Sequence, residues 1–376
     1  VAVARASNAF NADFFRAVRQ DPGNVFFSAF SIESAFAMIA LGAKGETLSQ
    51  LQRGLHLPTE APLSPSGFRE LSGQLNKSPQ PAARKGMELS LANALWGRHT
   101  YPWNKDYLSA LQTHFGAGLI ETDFHQPEAA RQRINQWVEQ ETRQKIQELL
   151  APGSITPRTR LVLTNAIYFK GRWEAEFDKK GTVPQPFLNG KGGQSRVPFM
   201  HKTGSFSYAE TTDWQALELP YIGRETSLVI LIPVQLGALN KLQNQIDAAW
   251  IDQMLSRLSP AKQVQVAIPK FKLATEYDLK ARLEQLGVTD VFSEDRADLS
   301  GMHTGTERLC VTTAVHKAFV EVNEEGTEAA AATGIVVGEA SAPPMIKTFV
   351  ADHPFVFLIR HRPTGLILFF GKVENL

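Results

Sequence analysis

At Arg160 the chain changes character, and no other feature limits its fold so strongly. Beyond that point come RLVLTNAIYFKG, LELPYIG, SLVILIP, QVQVAIPKFKL, AFVEV and FVFLIR, short β-branched or aromatic runs bounded by Gly, Pro or charge. Before it the pattern is mainly helical. Phe10, Phe14 and Val18 recur four residues apart until Pro22-Gly23 breaks the rhythm. SIESAFAMIALGAKGET reads as a second helix, with Ser31 as its N-cap and Gly42 near its end. EAARQRINQWVEQETRQKIQELL reads as a third, with Ile134, Val138 and Ile146 on its apolar side. LGALNKLQNQIDAAWIDQMLSRL and TEYDLKARLEQLG restore helices between the later strands. Helices first and strands later, without regular alternation, predict an α+β fold and not a doubly wound sheet. The Pro/Ser-rich LPTEAPLSPSG bends the helical region without the look of a linker, so residues 1–376 are expected to form a single domain.

Charge narrows the function. There are 39 basic and 38 acidic residues, a net charge of +1, and they cluster no further than pairs such as Arg84-Lys85. That excludes a nucleic-acid surface and predicts no polyanion activation. The single cysteine, Cys310, rules out an intramolecular disulfide. One cysteine fits the cytosol and equally a secreted protein that relies on its core; the compartment stays open, with a secreted setting favoured. No run of about 18 apolar residues is present, so no membrane partner is expected. The start VAVARASNAF, lacking an initiator Met, reads as a trimmed N-terminus.

Enzyme motifs are missing where a hydrolase would need them. The chain has no G-x-S-x-G, no H-E-x-x-H, no C-x-x-C and no phosphate loop, and GKGG at 190–193 reads as a turn. The nine histidines are scattered, none at metal-ligand spacing, so neither a metal nor a cofactor is expected. His316 and His353 flank strand runs and read as hydrogen-bonded core residues.

One segment contradicts its surroundings. EEGTEAAAATGIVVGEASAPP, Glu324 to Pro344, puts four alanines between the strand-like HKAFVEV and DHPFVFLI. As a helix it would be capped by Thr327, favoured by Glu328 in its first turn and closed by Gly334. As a strand it alternates faces: Thr327, Ala329, Ala331, Thr333, Ile335 and Val337 form one uncharged set, and the charged Glu328 falls on the other. The continuation Ile335-Val336-Val337 favours the strand.

Several stretches in order resemble the serpin family over nearly the whole chain: NVFFSAFSIESAFAMIALGAKGET, LTNAIYFKGRWEAEFD, VPFMHKTGSFSYAE, ALELPYIGRETSLVILIP, HKAFVEVNEEGTEAAAATG and DHPFVFLIRHRPTGLILFFGKV. Ala29 departs from the family's usual Pro. The resemblance implies one domain with three β-sheets, about nine helices and an exposed reactive-centre loop at about 324–344. It implies a protease inhibitor and no enzyme, with a target serine protease as covalent partner, acting as a monomer. It marks Glu324, Gly326, Thr327, Glu328 and Ala329, Ala330, Ala331 and Ala332 as the hinge, and Ser28, Ser31, Asn165 and His316 as a gate in the main sheet. It sets Trp173 near the top of that sheet and Lys270 opposite Glu324. In the family register the scissile bond lies fourteen residues past Gly326, at Ala340–Ser341, and a small residue there suits an elastase-like protease. A cut after Val337 would remain elastase-like; one after Glu339 would require an acid-specific protease. The alternatives are a non-inhibitory carrier or chaperone, whose loop stays helical, and an inhibitor of papain-like cysteine proteases.

Overall fold

Apolar residues at four-residue spacing seal the first helix, α1 (Ala2–Val18), onto the core: Phe10, Phe14 and Val18 are wholly buried. In the computed structural model, which describes residues 2–57, 67–68, 71, 73, 87–116, 118–327 and 346–376, seven further α-helices accompany it. They are α2 (Ala29–Ala40), α3 (Gly45–Gly54), Lys105–Phe115, Pro127–Glu141, Leu239–Gln245, Ala248–Ser256 and Leu279–Gln285. The strands up to Pro220 are β1 (Val25–Phe27), β2 (Met87–Arg98), β3 (Leu119–Thr122), β4 (Leu161–Arg172), β5 (Val183–Leu188), β6 (Gln194–Glu210) and β7 (Trp214–Pro220). Those following are β8 (Thr226–Pro233), β9 (Ser259–Pro269), β10 (Phe271–Asp278), β11 (Thr313–Asn323), β12 (Gly326–Thr327), β13 (Lys347–Val350), β14 (Phe355–His361) and β15 (Leu366–Val373).

The strands form two hydrogen-bonded networks among the described residues, where three sheets were expected. One runs β1-β15-β14-β8-β7-β6-β9-β13, with β5 also on β6. The long strand β6 is the reason. It pairs with β7 at its end and with β9 along most of its length, through a bulge between Gly204 and Phe206, and so joins two arms into one network. The other sheet runs β10-β11-β12-β4-β2-β3. Below β12, β11 pairs directly and in parallel with β4, His316 opposite Asn165.

Helix α2 lies between the sheets, against β15 on one side and β4 and β2 on the other. All twelve of its residues are buried, and each fully buried Phe contributes about 1.5–3 kcal/mol. The opposite face of the six-stranded sheet is covered by the helix Pro127–Glu141, where Ile134 and Val138 pack on residues of β2 and β4. Strand β11 alternates accordingly: Ala314, His316, Ala318, Val320 and Val322 are buried on the α2 side.

Some boundaries differ from the sequence reading. The cap of α2 is Ser28 and not Ser31: the Ser28 hydroxyl accepts from the Ser31 amide at 3.2 Å. Two serines three residues apart can each cap, and Ala29-Phe30 fits a first helical turn, so the helix starts earlier. The third helix ends at Glu141, and Ile146 is buried beyond it. Arg143 and Gln144 take positive φ, which stops the helix there. The stretch 236–258 is two helices, interrupted before Asp247, whose carboxylate caps the second by accepting from Trp250 N–H at 2.8 Å.

Candidate functional site: the hinge and the gate

Strand β12 is a wedge two residues long. Gly326 and Thr327 enter the six-stranded sheet between β11 and β4 and pair antiparallel with both: Thr327 opposes Val322 on one side and Gly171 on the other. Only glycine fits at 326. Its φ is +147°, and a Cβ there would stand 2.1 Å from the Gly171 carbonyl oxygen.

The approach to the wedge is held by both backbone and charge. Trp173 N–H donates to the Glu325 carbonyl at 2.9 Å, Trp173 Nε1 to the Asn323 carbonyl at 2.9 Å, and Phe177 N–H to the Glu324 carbonyl at 2.8 Å. Trp173 itself is buried and stacked on Tyr221, centroids 4.7 Å apart. Thus the tryptophan expected near the top of the sheet holds the hinge backbone directly. The Glu324 side chain is 8% exposed and accepts from Lys270 Nζ at 2.8 Å and from Thr182 Oγ1 at 2.8 Å. Burial works against its charge, but Lys270, the backbone and Thr182 together hold its pKa below the ordinary carboxylate value. Glu325, also buried, pairs with Lys179. Glu328, Ala329, Ala330, Ala331 and Ala332, with Thr333, Ile335, Val337, Glu339, Ala340 and Ser341, lie outside the described residues. The chain is described again from Ile346, and β13 pairs in parallel with β9. The segment 328–345 therefore connects the six-stranded sheet to the nine-stranded one.

Lower in the six-stranded sheet the four expected gate residues meet. His316 and Asn165 are wholly buried, and His316 Nδ1 bonds Asn165 Oδ1. His316 Nε2 accepts from the Ser28 amide at 3.1 Å. That assigns the proton to Nδ1, and burial pushes the imidazole pKa down to about 3, so the ring is neutral. Asn165 Nδ2 donates to the Ser31 carbonyl at 2.8 Å and to its hydroxyl at 2.7 Å. The network thus ties β4 and β11 to the first turn of α2. Among the described residues the imidazole's partners are the Asn165 side chain and the Ser28 amide, with the Tyr277 ring stacked at 6.3 Å. The arrangement holds a seam between two strands and a helix.

Two sets of residues escaped the sequence reading. Asn93 on β2 joins the His316–Asn165–Ser31 network, donating to the Ser31 carbonyl at 3.2 Å and accepting from Asn165. An Asn inside the apolar run LSLANALW was the available signal, since a buried amide in a strand needs a partner. Lys179 and Thr182 complete the contacts of Glu325 and Glu324, and they lie in the polar stretch DKKGT, which carries no pattern to distinguish it from an ordinary turn.

A family model described as "Serpin (serine protease inhibitor)" matches residues 5–376. Leukocyte elastase inhibitor of Equus caballus is 41% identical over 98% of this chain and 98% of its own, and that of Homo sapiens is 40% identical over the same shares. The crystal structure of uncleaved ovalbumin superposes with a TM-score of 0.89 at 32% identity, covering all of both chains. The chain belongs to the serpin family, protease inhibitors rather than enzymes. Within it, the similarity extends to leukocyte elastase inhibitors.

Proposed function

We propose that this protein is a suicide-substrate inhibitor of elastase-like serine proteases, acting as a single-domain monomer. The protease's nucleophile attacks the Ala340 carbonyl, an acyl ester forms, and the Ser341 amine leaves. The freed segment then enters the six-stranded sheet as a new strand and carries the protease with it before water completes the hydrolysis; this use of strand addition and stored strain is a general device.

The observation that carries this reading is β12, paired on both sides with the strands that must part. Continued from Thr327, the same antiparallel register moves one residue back on each neighbour per step. Thr333, six residues on, would oppose residue 316 (322 − 6) and residue 165 (171 − 6), the two gate residues His316 and Asn165. Directly opposed residues share a face. Ala329, Ala331 and Thr333 would therefore fall beside Val320, Ala318 and His316 on the buried α2 side. Glu328 would oppose Glu321 and Lys170, both only partly buried, on the other face. The small uncharged set suits entry, and an unpaired charge on that side would cost several kcal/mol. The names of the similar inhibitors and the small residues Val336, Val337, Gly338 and Ala340 support an elastase-like target.

The test mixes the protein with a neutrophil- or pancreatic-type elastase at near-equal amounts, followed by a denaturing gel and N-terminal sequencing. A denaturant-resistant complex with a released fragment beginning at Ser341 is expected. Complete cleavage without a complex would reject inhibition of this class.

A further inference from the structure

Helices α1 and α2 meet over a polar cluster that neither the hinge nor the gate uses. Ser7 and Asn11, one turn apart on α1, and Glu33 on α2 are all 0% exposed. The Ser7 hydroxyl, both amide atoms of Asn11 and both carboxylate oxygens of Glu33 lack a hydrogen-bond partner. Five unsatisfied polar atoms at one helix seam are unusual, because buried polar groups are nearly always paired. We propose that folding loads a proton onto Glu33, and that the α1–α2 seam is a proton-dependent element of the native state.

The reason is solvation. An ionised carboxylate without a counter-charge is the least tolerable group in a protein interior. Charges on the elements packed against α2 are engaged elsewhere, or, like Lys170 of β4, alternate with its buried face. On α1, Asp13 pairs with Arg16 and His56, and Arg5 points to solvent. On β15, Lys372 Nζ is taken by the Arg19 and Asp21 carbonyls and by Glu374. On β4, Arg172 pairs with Glu176; on β2, Glu88 pairs with Arg143 and Arg98 bonds His125; on α3, Glu46 pairs with Arg53. Burial raises the Glu33 pKa well above the ordinary value, and only the neighbouring Ser7 hydroxyl works the other way, without closing a bond of ordinary geometry. The seam matters because α2 also carries Ser31 and is capped by Ser28, so what loosens α2 loosens the gate's anchor.

The folded group holds its proton where the unfolded one has lost it, so stability is greatest below the unfolded pKa of about 4.5 and declines as pH rises towards the folded value. One proton changes the unfolding equilibrium by up to about tenfold per pH unit. His353, whose pKa is raised because Asp352 and the Pro233 carbonyl outweigh its burial, adds a decline of the same sign above pH 6.5. The informative quantity is therefore the difference between wild type and Glu33→Gln. Denaturant unfolding from about pH 5 to 8.5 should show Glu33→Gln gaining on wild type by up to about tenfold per unit, from the unfolded carboxyl value upwards until wild-type Glu33 ionises. Parallel pH profiles would overturn the proposal. Should Glu33→Gln fail to fold, infrared spectroscopy of the wild-type protein decides: a protonated, weakly hydrogen-bonded carboxyl band at about pH 6, above the ordinary carboxyl range, supports it, and its absence refutes it.

Discussion

His316 shows how a residue type that usually signals chemistry can be recruited for holding. It is wholly buried, donates from Nδ1 to Asn165, accepts at Nε2 from the Ser28 amide, and has no charged neighbour to make use of a proton. Its native pKa of about 3 lies below the unfolded value of about 6.5. Between those two values the unfolded chain binds a proton that the native gate rejects. This contribution to stability is complete above pH 6.5 and is lost as pH falls, at up to about 1.4 kcal/mol per unit. His303 and His361, also lowered, act in the same direction, so the comparison must be with a variant. His316→Asn should cost about 2–4 kcal/mol at pH 7.5, because the Ser28 amide and Asn165 lose their fitted partner. It should lose less than wild type between pH 7 and 5. Denaturant midpoints at both pH values check this; an undiminished acid loss would clear His316 of the effect.

At the level of strands and helices, patterns repeated over several residues were legible and single choices were not. The four-residue rhythm of Phe10, Phe14 and Val18 found α1, and the alternation of HKAFVEV found β11 with its buried His316. The α2 start was misread because Ser28 and Ser31 carry the same capping chemistry, and Ile146 was drawn into a helix that Arg143 and Gln144 end by backbone conformation alone. The face alternation of the loop was set from Thr327, and the ladder of β12 with β11 gives the same parity a physical register. That parity makes a sharp prediction. Thr333→Arg would bring a guanidinium to the buried His316–Asn165 step, where insertion would stall and the acyl ester would hydrolyse. The count of inhibitor molecules cleaved per protease trapped should rise by at least about tenfold, the effect of a few kcal/mol in a kinetic competition. Glu328→Lys, on the other face, should trap nearly as well as wild type. Equal losses in the two variants on a titration gel would show that the register is wrong.

Across the whole molecule, the α+β class was readable because most helices precede Arg160 and most strands follow it without regular alternation, although β2 lies in the stretch read as mainly helical; the joining of sheets through β6 was not readable. Nothing in QSRVPFMHKTGSFSYAE marks where one partner strand gives way to another, since pairing depends on residues far away in sequence. Strand β11 pairs directly with β4 from residue 313 to 319, and only above that does β12 part them. A strand from 328 to 337 between β11 and β4 would exchange one parallel ladder for two antiparallel ones and bury a run of small side chains. With about ten added backbone hydrogen bonds at about 0.5–1.5 kcal/mol each, the gain is on the order of 10 kcal/mol, and the melting temperature should rise by about 10–20 °C. The experiment is to nick the loop with a protease that cuts within 334–341 and is not trapped, then compare thermal unfolding of intact and cleaved protein. A large rise would mean that the intact fold stores the free energy that trapping needs. An unchanged melting temperature would mean that the cut segment stays out of the sheet, and the family fold would then serve as a carrier or chaperone.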